Sequence, residues 1–364
     1  VEPVERVAIV AACRAFFRDE YGRGKEPLKA LAWRSVSGGL SGAKTFLVRF
    51  NNSGIPVLVK VTPREWAIDE VARYERYFRR QDRLLRPSCH FHSDVGVIIF
   101  GVIEDDATEF TPACSLDDEI SKALTAEVWD GDPAVLEARC SGIRQVVERT
   151  CRELEALNRT PSDGAFDTNA YLRGSCIRRP EASEVRWEIR GIPGAGIAVT
   201  LERAYQRTEA LRSVVTVHGD VNLRNILVPR SGVPQLIDFA CTGSGHPAYD
   251  LVRLEAALLF CYLPQLGSED EFMRFQHSFS VRLLTEAELR AEFPIWWTSP
   301  VNAALIGAAV RCRDGALLAL KPYGGEPLDY LACKFVMGCW SLTIPGLQLG
   351  LIRASLGAVP GGLT

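Results

Sequence analysis

No uninterrupted apolar run in the 364 residues reaches the roughly 18 that a membrane-spanning helix needs, and the N-terminus lacks the basic, apolar and small-residue order of a secretory signal. A membrane partner is therefore not expected. An excess of one charge is missing as well. Lys and Arg number 42 and Asp and Glu 45, so a net charge of −3 provides no basic field for gripping a polyanion, and nucleic acid is not an expected partner either. Cysteine is present eleven times but without order: the count is odd, the positions are scattered and no pair is spaced C-x-x-C. That pattern indicates neither a zinc site nor a disulfide framework, and the residues read as buried thiols of a cytoplasmic protein. Internal repeats and low-complexity tracts are absent too.

What remains is an ordinary globular composition, 47% apolar and 24% charged, long enough for one catalytic unit of two lobes. The chain begins at Val1, which leads us to expect a processed chain or a domain of a larger protein. Residues 4–19 place Val4, Val7, Ala8, Ala11, Ala15 and Phe16 near helical spacing, predicting an opening helix. From 31 to 61 the texture is β-rich, with LAWRSV, the turn SGGLSGA, KTFLVRF, the turn NNSG and IPVLVKV reading as a strand, a glycine loop and a hairpin. A charged amphipathic helix follows at 64–80, and a buried strand at 95–103 leads into an acidic segment. Beyond it the pattern is mainly helical: a long periodic run at 134–158, a Gly, Pro and Arg-rich stretch at 173–196 that reads as a short hairpin, and a helix at 201–213.

Residues 214–240, VVTVHGDVNLRNILVPRSGVPQLIDFA, read as apolar strands with polar groups gathered at two strand ends. His218-Gly219-Asp220 followed by Asn225 has the H-x-D-x-x-x-x-N spacing of a catalytic loop, and Ile237-Asp238-Phe239 stands where a metal-binding D-F-G would. Here the sequence resembles the kinase-like phosphotransferases, and the H-G-D form resembles the aminoglycoside phosphotransferase and choline kinase branch. A hairpin with solvent-facing Asp and Asn is the bland alternative, but it does not explain four such residues together.

The resemblance implies an α+β, protein-kinase-like, two-lobed fold, with a small β-rich N-terminal lobe over 1–103 and a larger, mainly helical C-terminal lobe over 104–364. It also implies ATP and Mg2+. Transfer of a phosphoryl group builds charge on metal-bound oxygens and needs a carboxylate aimed at the incoming hydroxyl, which Asp220 would supply. Asn225 and Asp238 would give magnesium an amide oxygen and a carboxylate. His218 would brace the loop, and Asp250, in the run His246-Pro247-Ala248-Tyr249-Asp250-Leu251, would buttress it.

The nucleotide half should lie upstream in a fixed order, and candidates occur in that order. Gly38, Gly39, Ser41, Gly42 and Ala43 sit between two strands, where small residues let backbone N–H groups approach phosphate oxygens; a plain turn is the alternative. No Walker A Lys-Ser or Lys-Thr follows Gly42. Lys60, in VLVKV, resembles the V-A-I-K lysine that contacts the α- and β-phosphates, against a lysine that snorkels at a sheet edge. Its helix partner is one of Glu65, Glu70 and Glu75, and the spacing of Glu75 from Val71 and Phe78 selects Glu75. Gly101, Val102 and Ile103 are the hinge candidates for backbone bonds to adenine.

The resemblance covers the N-terminal lobe and residues 214 to about 255. For the acceptor, the helical region offers acids at Glu269, Asp270, Glu271, Glu286, Glu288 and Glu292 and aromatics at Trp296, Trp297, Tyr323, Tyr330 and Trp340. These could hold a cationic small molecule, or be surface acids and core aromatics. The expected activity is phosphorylation of a hydroxyl on an amino-sugar, amino-alcohol or related metabolite. A protein kinase is disfavoured by H-G-D and by the lack of an A-P-E segment. A kinase-like nucleotide-binding regulatory module of a larger bacterial signalling protein, with a protein partner, is the other alternative.

Overall fold

The computed structural model describes residues 3–21, 30–36, 43–50, 57–77, 87–101, 114–128, 132–160, 194–211, 215–229, 232–263 and 269–341, with positions 352, 356 and 358. The chain divides into two compact units, Val1–Ser115 with Arg224–Thr242, and Leu116–Leu223 with Gly243–Thr364. The boundary expected after Ile103 lies outside the described residues. The first unit runs to Ser115 and also takes Arg224–Thr242. Backbone pairing accounts for this, since β6 (Cys114–Ser115) pairs antiparallel with β8 (Ile226–Val228), which pairs with β9 (Gln235–Leu236).

The first unit is built on a five-stranded antiparallel sheet. Its strands are β1 (Ala30–Val36), β2 (Lys44–Phe50), β3 (Val57–Pro63), β4 (Ser88–His92) and β5 (Val95–Gly101), in the order β1-β2-β3-β5-β4. Side chains alternate across such a sheet, so β3 sends Val57, Val59 and Val61 to one face, where Val97 and Ile99 of β5 join them. α1 (Pro3–Tyr21) covers that face with Ala8, Ile9, Ala12, Cys13, Phe16 and Phe17. The predicted helix is present, but rotated from the face the periodicity suggested: Val7 is 57% exposed, and Ile9, Cys13 and Phe17 are in the core. The short polar strand β4 had no signature in the sequence.

The opposite face carries Lys60, paired in register with Ile98. It is met by α2 (Arg64–Tyr77), whose buried residues Ala67, Glu70, Tyr74 and Tyr77 follow helical spacing. Phe239 packs edge-on against Tyr74 and lies near Phe100, and Arg73 donates to the Thr242 carbonyl at 3.0 Å. Phe239 and Thr242 are thereby held to α2, and Phe239 to β5.

The second unit is mainly helical: α3 (Leu116–Val128), α4 (Pro133–Leu157), α5 (Gly194–Ala210), α6 (Tyr249–Cys261), α7 (Glu269–Gln276), α8 (Glu286–Glu292), α9 (Pro300–Leu320) and α10 (Pro327–Ser341). α4 begins where Asp132 caps the backbone N–H of Ala134 and Pro133 takes the first turn, close to the predicted 134–158. α5 starts seven residues before the predicted helix at 201, and residues 173–193 of the expected hairpin lie outside the described residues. α6 is buried almost throughout its length. Two short strands, β7 (Val215–Val217) and β10 (Gly243–Gly245), pair antiparallel beside the start of α6. The sheet unit with its inserted helix and the mainly helical unit make an α+β fold. No helix among the described residues is long and apolar enough to cross a membrane.

Candidate functional site

In the first unit the polar centre is Lys60. Its ammonium donates to Glu70 Oε2 and to Asp238 Oδ1, each at 2.6 Å, which joins positions 178 residues apart in sequence. The lysine and Glu70 are buried, whereas the Asp238 side chain is one-fifth exposed. Burial alone would lower the lysine pKa, but the two carboxylates outweigh it and raise the pKa above the ordinary value, keeping the group charged. For Glu70 burial dominates: its carboxyl is pushed up to about 7, against the pull of Lys60 and with a further push from Asp238.

Asp238 is one of three non-glycine residues with positive φ among those described, at φ 66° and ψ 72°. An L-residue held there is strained, and such strain collects at sites where a side chain must be aimed. The backbone N–H of Ile237 donates to the Asn225 carbonyl at 3.0 Å, which ties the two candidate metal ligands through their backbones. No group of three or more His, Cys, Asp or Glu that could hold a metal occurs among the described residues. One amide and one carboxylate nevertheless suit magnesium, which takes one or two protein carboxylates and completes its octahedron with phosphate oxygens and water.

In the second unit the loop after β7 is fixed from beneath. Asp250, at the second position of α6 and fully buried, accepts from the backbone N–H of His218 at 2.7 Å and of Gly219 at 2.9 Å. Burial raises its carboxyl pKa, while His218, the two backbone donors and Arg253 oppose that rise. Gly219 has φ 82°, a conformation that explains glycine between His and Asp. His218 is buried and its Nδ1 accepts from the Asp220 N–H at 3.3 Å. Arg253, one turn along α6 from Asp250, donates through Nη2 to Asp220 Oδ1 and through Nη1 to the Tyr249 hydroxyl at 3.3 Å. Its guanidinium lies 4.3 Å from the centre of the Trp340 ring. The segment leading into α6 is pinned by Asn158, which donates to the Pro247 carbonyl at 2.6 Å.

The sequence profile of the family described as ternary complex associated domain 9 matches residues 105–311, more than half of the chain. The chain belongs to this family. Solved structures similar to this ternary complex associated domain 9 protein include an aminoglycoside-3'-phosphotransferase of type VIII, at 17% identity over 84% of this chain and 98% of that one, with a TM-score of 0.41. Choline kinase LicA from Streptococcus pneumoniae is 13% identical over 100% and 99%, with a TM-score of 0.46. An ethanolamine kinase from Plasmodium vivax is 11% identical over 100% and 89%, with a TM-score of 0.47. No curated protein matches the chain.

In this ternary complex associated domain 9 chain the partner of Lys60 is Glu70, which corrects the selection of Glu75. The buried stripe of α2 runs through Ala67, Glu70, Tyr74 and Tyr77, so position 75 lies off it. Gly38, Gly39, Ser41 and Gly42 lie outside the described residues, as do Val102 and Ile103; Ala43 is buried ahead of β2, and Gly101 ends β5. Several of the acids and aromatics considered for a cationic acceptor have structural partners. Glu286 pairs with Arg144, Glu292 with Arg282, and Glu288 closes the capping box of α8. Trp296 stacks on Phe275, the Tyr323 hydroxyl donates to the Asn158 carbonyl, and the Tyr330 hydroxyl donates to Glu255. Arg253 was not singled out in the sequence, although its place three residues after Asp250 and four after Tyr249 puts it on the same helix face.

Proposed function

We propose that this chain is an ATP-dependent, Mg2+-requiring phosphotransferase that moves the γ-phosphoryl group to a hydroxyl of a small-molecule acceptor, an amino-sugar, amino-alcohol or related metabolite. The observation that carries this reading is Lys60, buried and bonded at once to Glu70 and Asp238. With both carboxylates ionised, two against one ammonium leave the cluster one negative charge in excess. A divalent cation would reverse that sign and make the cluster complementary to a triphosphate.

In this reading Lys60 donates to the α- and β-phosphate oxygens, and Glu70 keeps the ammonium aimed at them. Magnesium, held by Asn225 and Asp238, would neutralise charge on the phosphate oxygens. Asp220 accepts the proton of the acceptor hydroxyl as its oxygen bonds to the γ-phosphorus. The bond to the β,γ-bridging oxygen breaks with its electron pair, and ADP departs. Asp250 and His218 hold the loop that presents Asp220. Backbone groups of 37–43 and 101–103 remain the proposed contacts to phosphate and adenine, and a cytoplasmic location goes with ATP as donor.

The family description favours a second reading, a kinase-like domain working within a multi-component assembly, because it names association with a ternary complex. The two readings separate on turnover. With ATP, Mg2+ and a library of hydroxyl compounds, the first expects a phosphorylated product and the second expects nucleotide binding without one. Lys60→Ala should weaken nucleotide binding at least about tenfold, and chelation of Mg2+ should stop transfer. Asp220→Ala should lower kcat by about 10²- to 10⁴-fold with nucleotide affinity retained. Unchanged transfer in Asp220→Ala would remove Asp220 from its assigned role.

A further inference from the structure

Arg253 is built into the helical unit in a way that its own stability does not explain. The guanidinium stacks on Trp340, bonds the Tyr249 hydroxyl and reaches Asp220 Oδ1. Its side chain is only 10% exposed, whereas that of Asp220 is 27% exposed, so the arginine grips the carboxylate from the buried side. A buried ion pair adds little net stability, because desolvating both charges offsets most of their attraction. The consequence of this pair lies in which acid it holds: the acid of the H-G-D loop.

We infer that Arg253 is the positioning residue of Asp220, fixing the direction in which that carboxylate is presented to the acceptor hydroxyl; this rests on the phosphotransfer reading above. The terminal torsion of an Asp side chain is broad and roughly two-fold, so an untethered carboxylate swings through many orientations. A charge-assisted bond from a planar guanidinium, itself fixed by a ring and a hydroxyl, stops that rotation. With Oδ1 engaged from the buried side, the more exposed side of the carboxylate keeps one aim. Lysine offers the charge at this place without the planar fork, and glutamine a planar donor without the charge.

The test uses the full chain with ATP and Mg2+, reading phosphate release with water as acceptor and nucleotide affinity separately. Arg253→Gln should lower kcat by about 10- to 100-fold while the affinity for ATP stays within about twofold, and Arg253→Lys should recover part of the loss. In an Asp220→Asn background Arg253→Gln should have no further effect, since the residue it positions is already disabled. If Arg253→Gln does not fold, Arg253→Lys and Trp340→Leu supply the same comparison, each expected to lower kcat without changing ATP affinity. An unchanged or raised kcat in folded Arg253 variants, or an equal fold-loss in the Asp220→Asn background, would overturn the inference. Release undiminished by Asp220→Asn would instead defeat the role of Asp220 itself. No release from the unaltered chain would overturn the phosphotransfer reading and this inference together.

Discussion

Burial holds the His246 imidazole neutral. It is fully enclosed just before α6, its Nδ1 accepts from the Ala248 N–H at 3.3 Å, and burial pushes its pKa down to about 4 against the pull of Asp329. The unfolded chain protonates this histidine near pH 6.5, whereas the folded chain does so only near pH 4. Its contribution to stability is therefore complete above pH 6.5 and is lost as pH falls toward 4, by on the order of 3 kcal/mol. His246→Asn keeps an acceptor for Ala248 but cannot titrate. Chemical unfolding from pH 7 to 4 should show a shallower loss in the variant than in the wild type; parallel curves would show that His246 does not drive the acid response. The motifs singled out Lys60 and Asp238, which the fold brings to 2.6 Å of each other. Spacing did not reveal which carboxylate would meet Lys60 or that Arg253 would meet Asp220, because both depend on helix rotation and on side chains that converge from distant positions.

At the scale of elements, the placement of Glu70 depends on how closely α2 approaches β5. Gly96 makes that approach possible: a Cβ there would stand 2.3 Å from the Ala67 Cβ and 3.3 Å from the Arg64 Cα. The helix backbone must move if that space is filled, and overpacking of this kind costs about 1–3 kcal/mol. Gly96→Ala should therefore lower the unfolding midpoint and also weaken the proposed nucleotide binding, since a displaced α2 carries Glu70 away from Lys60. Ala67→Gly added to it should restore binding by removing the opposing methyl group. Binding unaffected by Gly96→Ala would mean that α2 is not the element that sets the Lys60 pair. The sequence marked α2 as an amphipathic helix and missed its orientation, because its apolar side chains occur all round: Trp66 and Ile68 are exposed while Glu70 is buried. The strands of the hairpin were legible from β-branched alternation, whereas β4, with the sequence SCHFH, had no such pattern.

For the molecule as a whole, two units were legible from the change in texture along the chain, but the return of 224–242 to the first unit was not, since two-residue strands such as β6 leave no periodic trace. The helical unit has a polar knot that its apolar pattern concealed as well. Lys334 of α10 donates to Glu255 of α6 at 2.5 Å and to Ser280 at 2.6 Å, and the Tyr330 hydroxyl donates to the other oxygen of Glu255 at 2.9 Å. Both charges are enclosed, and burial lowers the lysine pKa against the pull of Glu255. Removing one partner strands the other charge in a medium that cannot solvate it, so Lys334→Met should destabilise the unit by about 3–5 kcal/mol. Adding Glu255→Gln keeps an acceptor for Tyr330 and removes the stranded charge. The double variant should then recover most of the loss and lie within about 1–2 kcal/mol of wild type in chemical unfolding. Additive losses in the two single variants and the double would show that the pair is not energetically coupled, and that packing of the lysine stem, rather than its charge, joins α10 to α6.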